Sequence, residues 1–145
     1  MVPTLMRRLD AQQVAELLLE IGRRSSLEGG NPYKAGAYIR AAESLRALVV
    51  PLGKVIRRSQ LRALPGIGDA IARRIVKLSE KGTDEGLERL RARYPASLLE
   101  LMNIPRLKPT AVIRLHKELG IANLKEAEAA AREGRLVAAA RSFQN

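Results

Sequence analysis

Apolar residues along this chain recur at three- and four-residue spacing, and no stretch alternates convincingly with a period of two. Val14, Leu17, Leu18 and Ile21 mark one face of a first helix over about residues 10–23, with Asp10 as N-cap and Gln13 as its capping-box partner. Ser25 to Gly30 reads as a loop. Asn31-Pro32, an N-cap followed by proline at N1, opens a second helix whose inner face is Ala37, Ala41, Leu45 and Leu48. Pro51 and Gly53 end it, Lys54 to Arg58 is expected to form a short helical turn, and Ser59 to cap another through Leu64. The next helix buries Ile71, Ile75 and Leu78, with Arg73 and Lys77 on its other side, until Gly82 stops it. Thr83 or Asp84 caps a helix facing inward with Leu87, Leu90 and Tyr94. Beyond Pro95, a short apolar helix carries Leu98, Leu99, Leu101 and Met102. Another starts at Thr110, with Ala111, Leu115 and Leu119 inward and Gly120 as its left-handed stop. Glu126 to Ala140 is Ala-rich and helical in pattern, interrupted near Gly134. The pattern predicts an all-α protein.

A repeat lies inside that series. Leu64-Pro65-Gly66-Ile67-Gly68-Asp69 and Ile104-Pro105-Arg106-Leu107-Lys108-Pro109 share one frame, each after a short Leu-containing helix and before an amphipathic one. Two glycines in three residues imply unusual backbone angles, or a backbone that something must approach closely. The N–H groups opening the following helix have no intrahelical partner and sit at the positive end of its dipole, which makes a phosphate seat. In the second copy Arg106 and Lys108 replace both glycines. If positive φ is needed there, each costs on the order of 1 kcal/mol, so this turn is expected to be distorted or only structural.

Charge sharpens the picture. Of 145 residues, 26 are Lys or Arg against 15 Asp or Glu, a net charge of +11 and a pI near 10.8. Such a balance suits a polyanionic partner; the plainer reading is solubility or an Arg-rich composition. From Lys54 to Lys77, seven basic residues face Asp69 alone. With aromatics at 3% and no Trp, the core must be aliphatic. Without Cys there is no disulfide framework, and a single His argues against a zinc site. No apolar run approaches the roughly 20 residues of a membrane span, and the start has no signal-peptide pattern. A cytoplasmic, nucleoid-associated monomer without a membrane partner is the default expectation.

The order of elements resembles the N-terminal half of the family X DNA polymerases, the group that includes DNA polymerase beta. The carrying residues are Gly30-Asn31-Pro32-Tyr33-Lys34-Ala35-Gly36-Ala37-Tyr38-Ile39-Arg40-Ala41-Ala42, then Leu64 to Ile75, then Ile104 to Ile121. The resemblance implies two small helical subdomains, each containing a helix-hairpin-helix motif: a lyase-like end-binding part over 1–80 and a second, degenerate part over 81–145. It implies DNA phosphate contacts at Gly66, Ile67, Gly68, Arg73, Arg74, Lys77, Arg106 and Lys108. It implies a 5′-phosphate pocket at Lys34, Tyr38 and Arg62, with Tyr33 placed to stack on a base. Lys34 and Tyr38, four apart, share a helix face. It also implies a monovalent cation, Na⁺ or K⁺, on the carbonyls of Arg62, Leu64 and Ile67, and a weaker second site on those of Met102, Ile104 and Leu107.

Departures from the family's pattern bear on catalysis. A lyase of this family uses a Lys amine as Schiff-base nucleophile, and Arg74 occupies that position. Its guanidinium stays protonated and cannot play that part. Ala70 replaces a basic phosphate-contacting position, while Lys77 or Lys81 on the same helix offers a displaced amine. Polymerisation needs clustered aspartates for two metals, whereas Asp10, Asp69 and Asp84 are scattered. The third hairpin of the family would follow Gly134-Arg135-Leu136, and Val137 to Asn145 loses that pattern. The reading is therefore sequence-independent DNA binding at gaps, nicks or 5′-phosphorylated ends, with no catalysis expected of this chain alone. The alternatives are a sugar-phosphate lyase with a displaced lysine, and a protein–protein adaptor.

Overall fold

The structure, a computed structural model, describes residues 8–29 and 31–134, which form helices joined by turns and short connections with no strand among them. Helix α1 spans Ala11–Glu28 and opens on a reciprocal capping box: Gln13 N–H donates to Asp10 Oδ1 at 2.8 Å and Asp10 N–H to Gln13 Oε1 at 2.9 Å. It continues through the serines expected to form a loop, because burial outweighs their turn preference. Leu27 lies in the core, and Arg24, also buried, donates to Glu20 Oε2 at 2.9 Å and to the Tyr94 carbonyl. Helix α2, Pro32–Arg46, is capped by Asn31, whose side chain accepts the Tyr33 N–H. Gly22 lets the two helices approach: a Cβ there would stand 3.1 Å from the Ala35 carbonyl oxygen.

The segment after α3, Leu52–Arg57, is a single 3₁₀ turn, Leu61–Ala63. Ser59 does not cap it; Ser59 has φ +54° and its own N–H closes the end of α3 on Ile56 O. Helix α4, Asp69–Lys81, ends on left-handed Gly82. Of the two candidate caps for α5, Glu85–Arg93, Asp84 serves, accepting the Leu87 N–H at 2.8 Å. Helix α6 is Ala96–Leu101, and α7, Pro109–Leu119, turns Val112 and Leu115 inward rather than Ala111 before stopping at Gly120. Asn123 caps α8, Leu124–Arg132. The expected continuation of that helix to Ala140, and the segment from Arg135 to Asn145, lie outside the described residues.

Helix α1 touches α2, α4, α5 and α7, so its apolar face organises the core. Leu18, Ile21, Leu45, Ile75, Leu78, Leu87, Leu98, Leu101 and Ile121 are fully buried in one cluster that includes both halves of the chain. Two polar ties reinforce it. Glu20 receives Arg91 Nε and Nη2 at 2.7 and 2.8 Å, and Arg23 Nη2 reaches the Leu99 carbonyl at 3.3 Å and Asn103 Oδ1 at 3.1 Å.

The two hairpin turns have the same backbone. In the first, Leu64 N–H donates to Leu61 O, Ile67 N–H to Leu64 O and Ala72 N–H to Gly68 O; in the second, Ile104 to Leu101, Leu107 to Ile104 and Val112 to Lys108. The expected distortion of the second turn does not occur. Gly66 has φ +79° and Arg106 adopts +68°, a left-handed conformation costing about 1 kcal/mol for a side-chain-bearing residue. Gly68 and Lys108 are both extended, at φ −97° and −74°, so the second glycine position has no backbone need of glycine.

These geometries separate the two glycines experimentally. Gly66→Ala combines left-handed strain with a Cβ 3.2 Å from Arg40 Cβ, and should destabilise by about 1–2 kcal/mol in urea unfolding. Gly68→Ala, with nothing of the chain within 4 Å of the new Cβ, should stay within about 0.5 kcal/mol of the parent. Equal losses would contradict this account of the turn. The Glu20 carboxyl is held below its ordinary range by the Arg91 hydrogen bonds, against its partial burial, with help from the Arg91 and Arg24 charges. The unfolded chain thus takes up the proton first. Glu20's contribution is complete above the usual Glu pKa of about 4.3 and fades as pH falls through the lower folded value. Glu20→Gln should flatten that part of the stability–pH curve measured by denaturant melts.

Candidate nucleic-acid interface

Helices α1, α2, α5 and α8 each start on an Asp or Asn side-chain cap; the short α3 and α6, which open on Pro51 and Pro95, have none, and neither do α4 and α7, the two that follow the hairpin turns. Their first N–H groups are left for an acceptor from outside the helix. The carbonyls behind them are also under-used. Pro65 and Pro105 have no N–H to give, so Arg62 O and Met102 O accept no backbone hydrogen bond among the described residues, and neither do Ile67 O and Leu107 O. Leu64 O and Ile104 O each accept one, from Ile67 and Leu107. The first turn is anchored to α2 by the Ser44 hydroxyl on the Pro65 carbonyl.

Around the first hairpin, Arg62 pairs with Asp69, and Arg62 and Arg73 line an open cleft of about 440 Å³ with Ile56, Ser59 and Val76. Arg74 points elsewhere. Its Nε and Nη2 fork onto Asp84 Oδ2 and Oδ1 at 2.7 and 2.8 Å, and its Nη1 donates to the Tyr38 hydroxyl at 2.8 Å. The guanidinium carbon lies 5.4 Å from the Tyr38 ring centroid. Gly86 makes room, since a Cβ there would sit 2.9 Å from Arg74 Nη2. Burial alone would raise the Asp84 pKa; the Arg74 hydrogen bonds, the Leu87 N–H and the Arg74 charge together pull it below the ordinary carboxylate value. Burial likewise opposes charge on Arg74, and the bonds to Asp84 and Tyr38 more than offset it, raising its pKa.

This clamp forms one wall of a partly open cavity of about 200 Å³, lined by Lys34, Arg74, Arg89 and Arg93 with Glu28 as the one carboxylate. The structure thus brings Lys34, Tyr38 and Arg74 together, while Arg62 sits on the cleft beside α3 and α4. Arg89 and Arg93, absent from the sequence-based site, come from α5. Their four-residue spacing puts them on one helix face, but nothing in that spacing tells which helix the face meets. Lys34 makes no ion pair among the described residues. Tyr33 is 76% exposed at the start of α2. Lys77 and Lys81 line a different cavity, of about 530 Å³, with Glu85 and Glu88. Arg106 is exposed, and Lys108 lines a further cavity against the α1–α2 corner. Among the described residues no group of His, Cys, Asp or Glu could hold a metal ion, and no helix is long and apolar enough to cross a membrane.

The helix-hairpin-helix domain model matches residues 10–84, about half of the chain. The chain is also 30% identical over 119 residues to the DNA polymerase/3'-5' exonuclease PolX of Bacillus subtilis (strain 168), a match covering 80% of this chain and 20% of that protein. It therefore spans about a fifth of the length of that relative. The all-helical fold is of the kind seen at the N-terminus of DNA polymerase beta. With its family model covering the first of two like-built hairpins, the chain belongs to the helix-hairpin-helix domain family.

Proposed function

We propose that the chain binds DNA through backbone phosphates, without reading sequence, and that it favours gaps, nicks or 5′-phosphorylated ends in DNA repair. The observation carrying this reading is the repeated turn: the same backbone twice delivers an uncapped helix N-terminus, once among the basic residues Arg62 and Arg73 and once beside Arg106 and Lys108. Contacts of backbone N–H groups with phosphates position a protein and carry no base information. The cavity of Lys34, Arg89 and Arg93 is where a terminal phosphate fits, because these cations converge beside the Asp84-paired Arg74 and outnumber Glu28 in a volume suited to one small anion. The free carbonyls of Arg62, Ile67, Met102 and Leu107, with those of Leu64 and Ile104, supply oxygen donors of the sort a Na⁺ or K⁺ ion takes, and such an ion would add positive charge facing the phosphate. In a polymerase such as the Bacillus relative, a module of this kind would hold the substrate for a catalytic part elsewhere.

Titration of a gapped duplex at several salt concentrations is expected to give log affinity falling linearly with log salt. Absent or salt-independent binding would sink the reading. A 5′-phosphorylated gap should bind more tightly than its 5′-hydroxyl counterpart, and Lys34→Ala or Arg89→Ala should reduce that preference about tenfold or abolish it. Lysine chemistry is the second reading. Lys77 and Lys81 lie among carboxylates in a separate cavity from Arg74, so borohydride trapping on an incised abasic duplex should leave no adduct. An adduct lost in Lys77→Ala or Lys81→Ala would instead establish a lyase.

A further inference from the structure

The large apolar side chains of this chain sit mainly in its aliphatic core. The loop between α2 and α3 departs from that rule. Val49 is 98% exposed, the most of any large apolar residue among the described ones, and Val50 beside it is 43% exposed. The loop is tied down on both sides. Leu48 N–H donates to Leu45 O at 3.2 Å before the valines, and Lys54 N–H to Pro51 O at 3.1 Å after them. Leu52 and Val55 then anchor the chain in the core. Nothing in the packing requires two valines to face water at this tip.

The tip continues into a groove of about 420 Å³ between α2 and the first hairpin. Ala47 and Leu48 form one wall, and Leu64, Pro65 and Gly66 the other, which the Ser44 hydroxyl ties to α2. Arg40, which lies against Gly66, and Glu43 are its charged members. Beyond the groove the charge has one sign. From Arg46 to Gly68 the sequence holds no Asp or Glu. Arg46, Lys54, Arg57 and Arg58 are all exposed and make no ion pair among the described residues.

We infer that the Val49–Val50 tip is a wedge that packs against the unpaired bases of a single-stranded DNA segment, while the cations beside it hold the flanking phosphates. A strand without its complement presents apolar base faces strung between anions. Apolar points set among cations are the complement of that chemistry, and contact with base faces still reads no sequence. A second copy of this chain would instead bring like charges together. The groove shares its far wall with the hairpin turn, so a strand seated on that turn passes beside the tip. The inference rests on the proposed DNA binding and adds to it a contact that phosphate seats cannot make. It is also distinct from the Lys34 cavity, because Lys34 and Arg46 lie towards opposite ends of α2, roughly 18 Å apart along the helix.

Two oligonucleotides of equal length separate base contact from phosphate contact. One is an ordinary single strand of DNA; the other has the same phosphates with an abasic tetrahydrofuran in place of every nucleoside. Binding of the full chain to each is followed by fluorescence anisotropy at several salt concentrations. The ordinary strand is expected to bind about tenfold more tightly, roughly the worth of burying one valine side chain. Val49→Ser combined with Val50→Ser should remove that difference and leave the fall of log affinity with log salt unchanged. The double variant should also melt at the parental temperature, since neither side chain is packed in the core. Equal affinity of the parent for the two strands overturns the inference and leaves the phosphate contacts standing, whereas no binding of either strand overturns both. A double variant that keeps the parental preference for bases overturns it as well. If that variant also loses binding to anionic phospholipid vesicles, the tip belongs to a membrane surface instead.

Discussion

A guanidinium held between a carboxylate and a phenol joins three helices. Arg74 on α4 forks onto Asp84, which also caps α5, and donates its third bond to Tyr38 on α2. Removing one partner of this part-buried pair leaves the other charge uncompensated, which destabilises the fold. The arrangement needs the planar, five-donor fork of arginine; an ammonium could not span the carboxylate and the hydroxyl in that geometry. Arg74 is therefore also the residue that shapes the cavity. Lys34, Arg89 and Arg93 meet there because the clamp sets α5 against α2 and α4.

The hairpins show how loosely backbone geometry follows residue identity. Gly66 and Arg106 share a left-handed conformation, and Gly68 and Lys108 an extended one, although the side chains have nothing in common. What the two turns do share is proline: Pro65 and Pro105 remove an N–H and leave the carbonyl three residues back without a donor. Arginine tolerates the strain at one position because its exposed side chain meets no packed neighbour, whereas Gly66 lies against Arg40.

Electrostatics and packing divide the work between the halves. Helix α1 reaches α5 through Glu20, Arg24 and Arg91, and the second hairpin through Arg23, so both are positioned from one element. Arg24 is buried, and Arg74 and Arg91 are held in ion pairs with Asp84 and Glu20, so these arginines add little to the outward charge. Net charge alone therefore overstates what faces a partner.

The periodicity of apolar residues, the Asp10, Asn31 and Gly120 stop and start signals and the paired Leu-Pro and Ile-Pro turns were enough to establish an all-α chain with a repeated hairpin, because helix caps and turn chemistry are local. Local rules fell short where burial intervened: α1 runs through Arg24 and Ser25 to Glu28 because their neighbours on α5 and α2 bury them. The direction in which Arg74 points, its separation from Arg62, and the meeting of Lys34 with Arg89 and Arg93 were decided by tertiary structure alone. Each depends on which face of one helix packs against another, and a side chain's sequence neighbours do not contain that information.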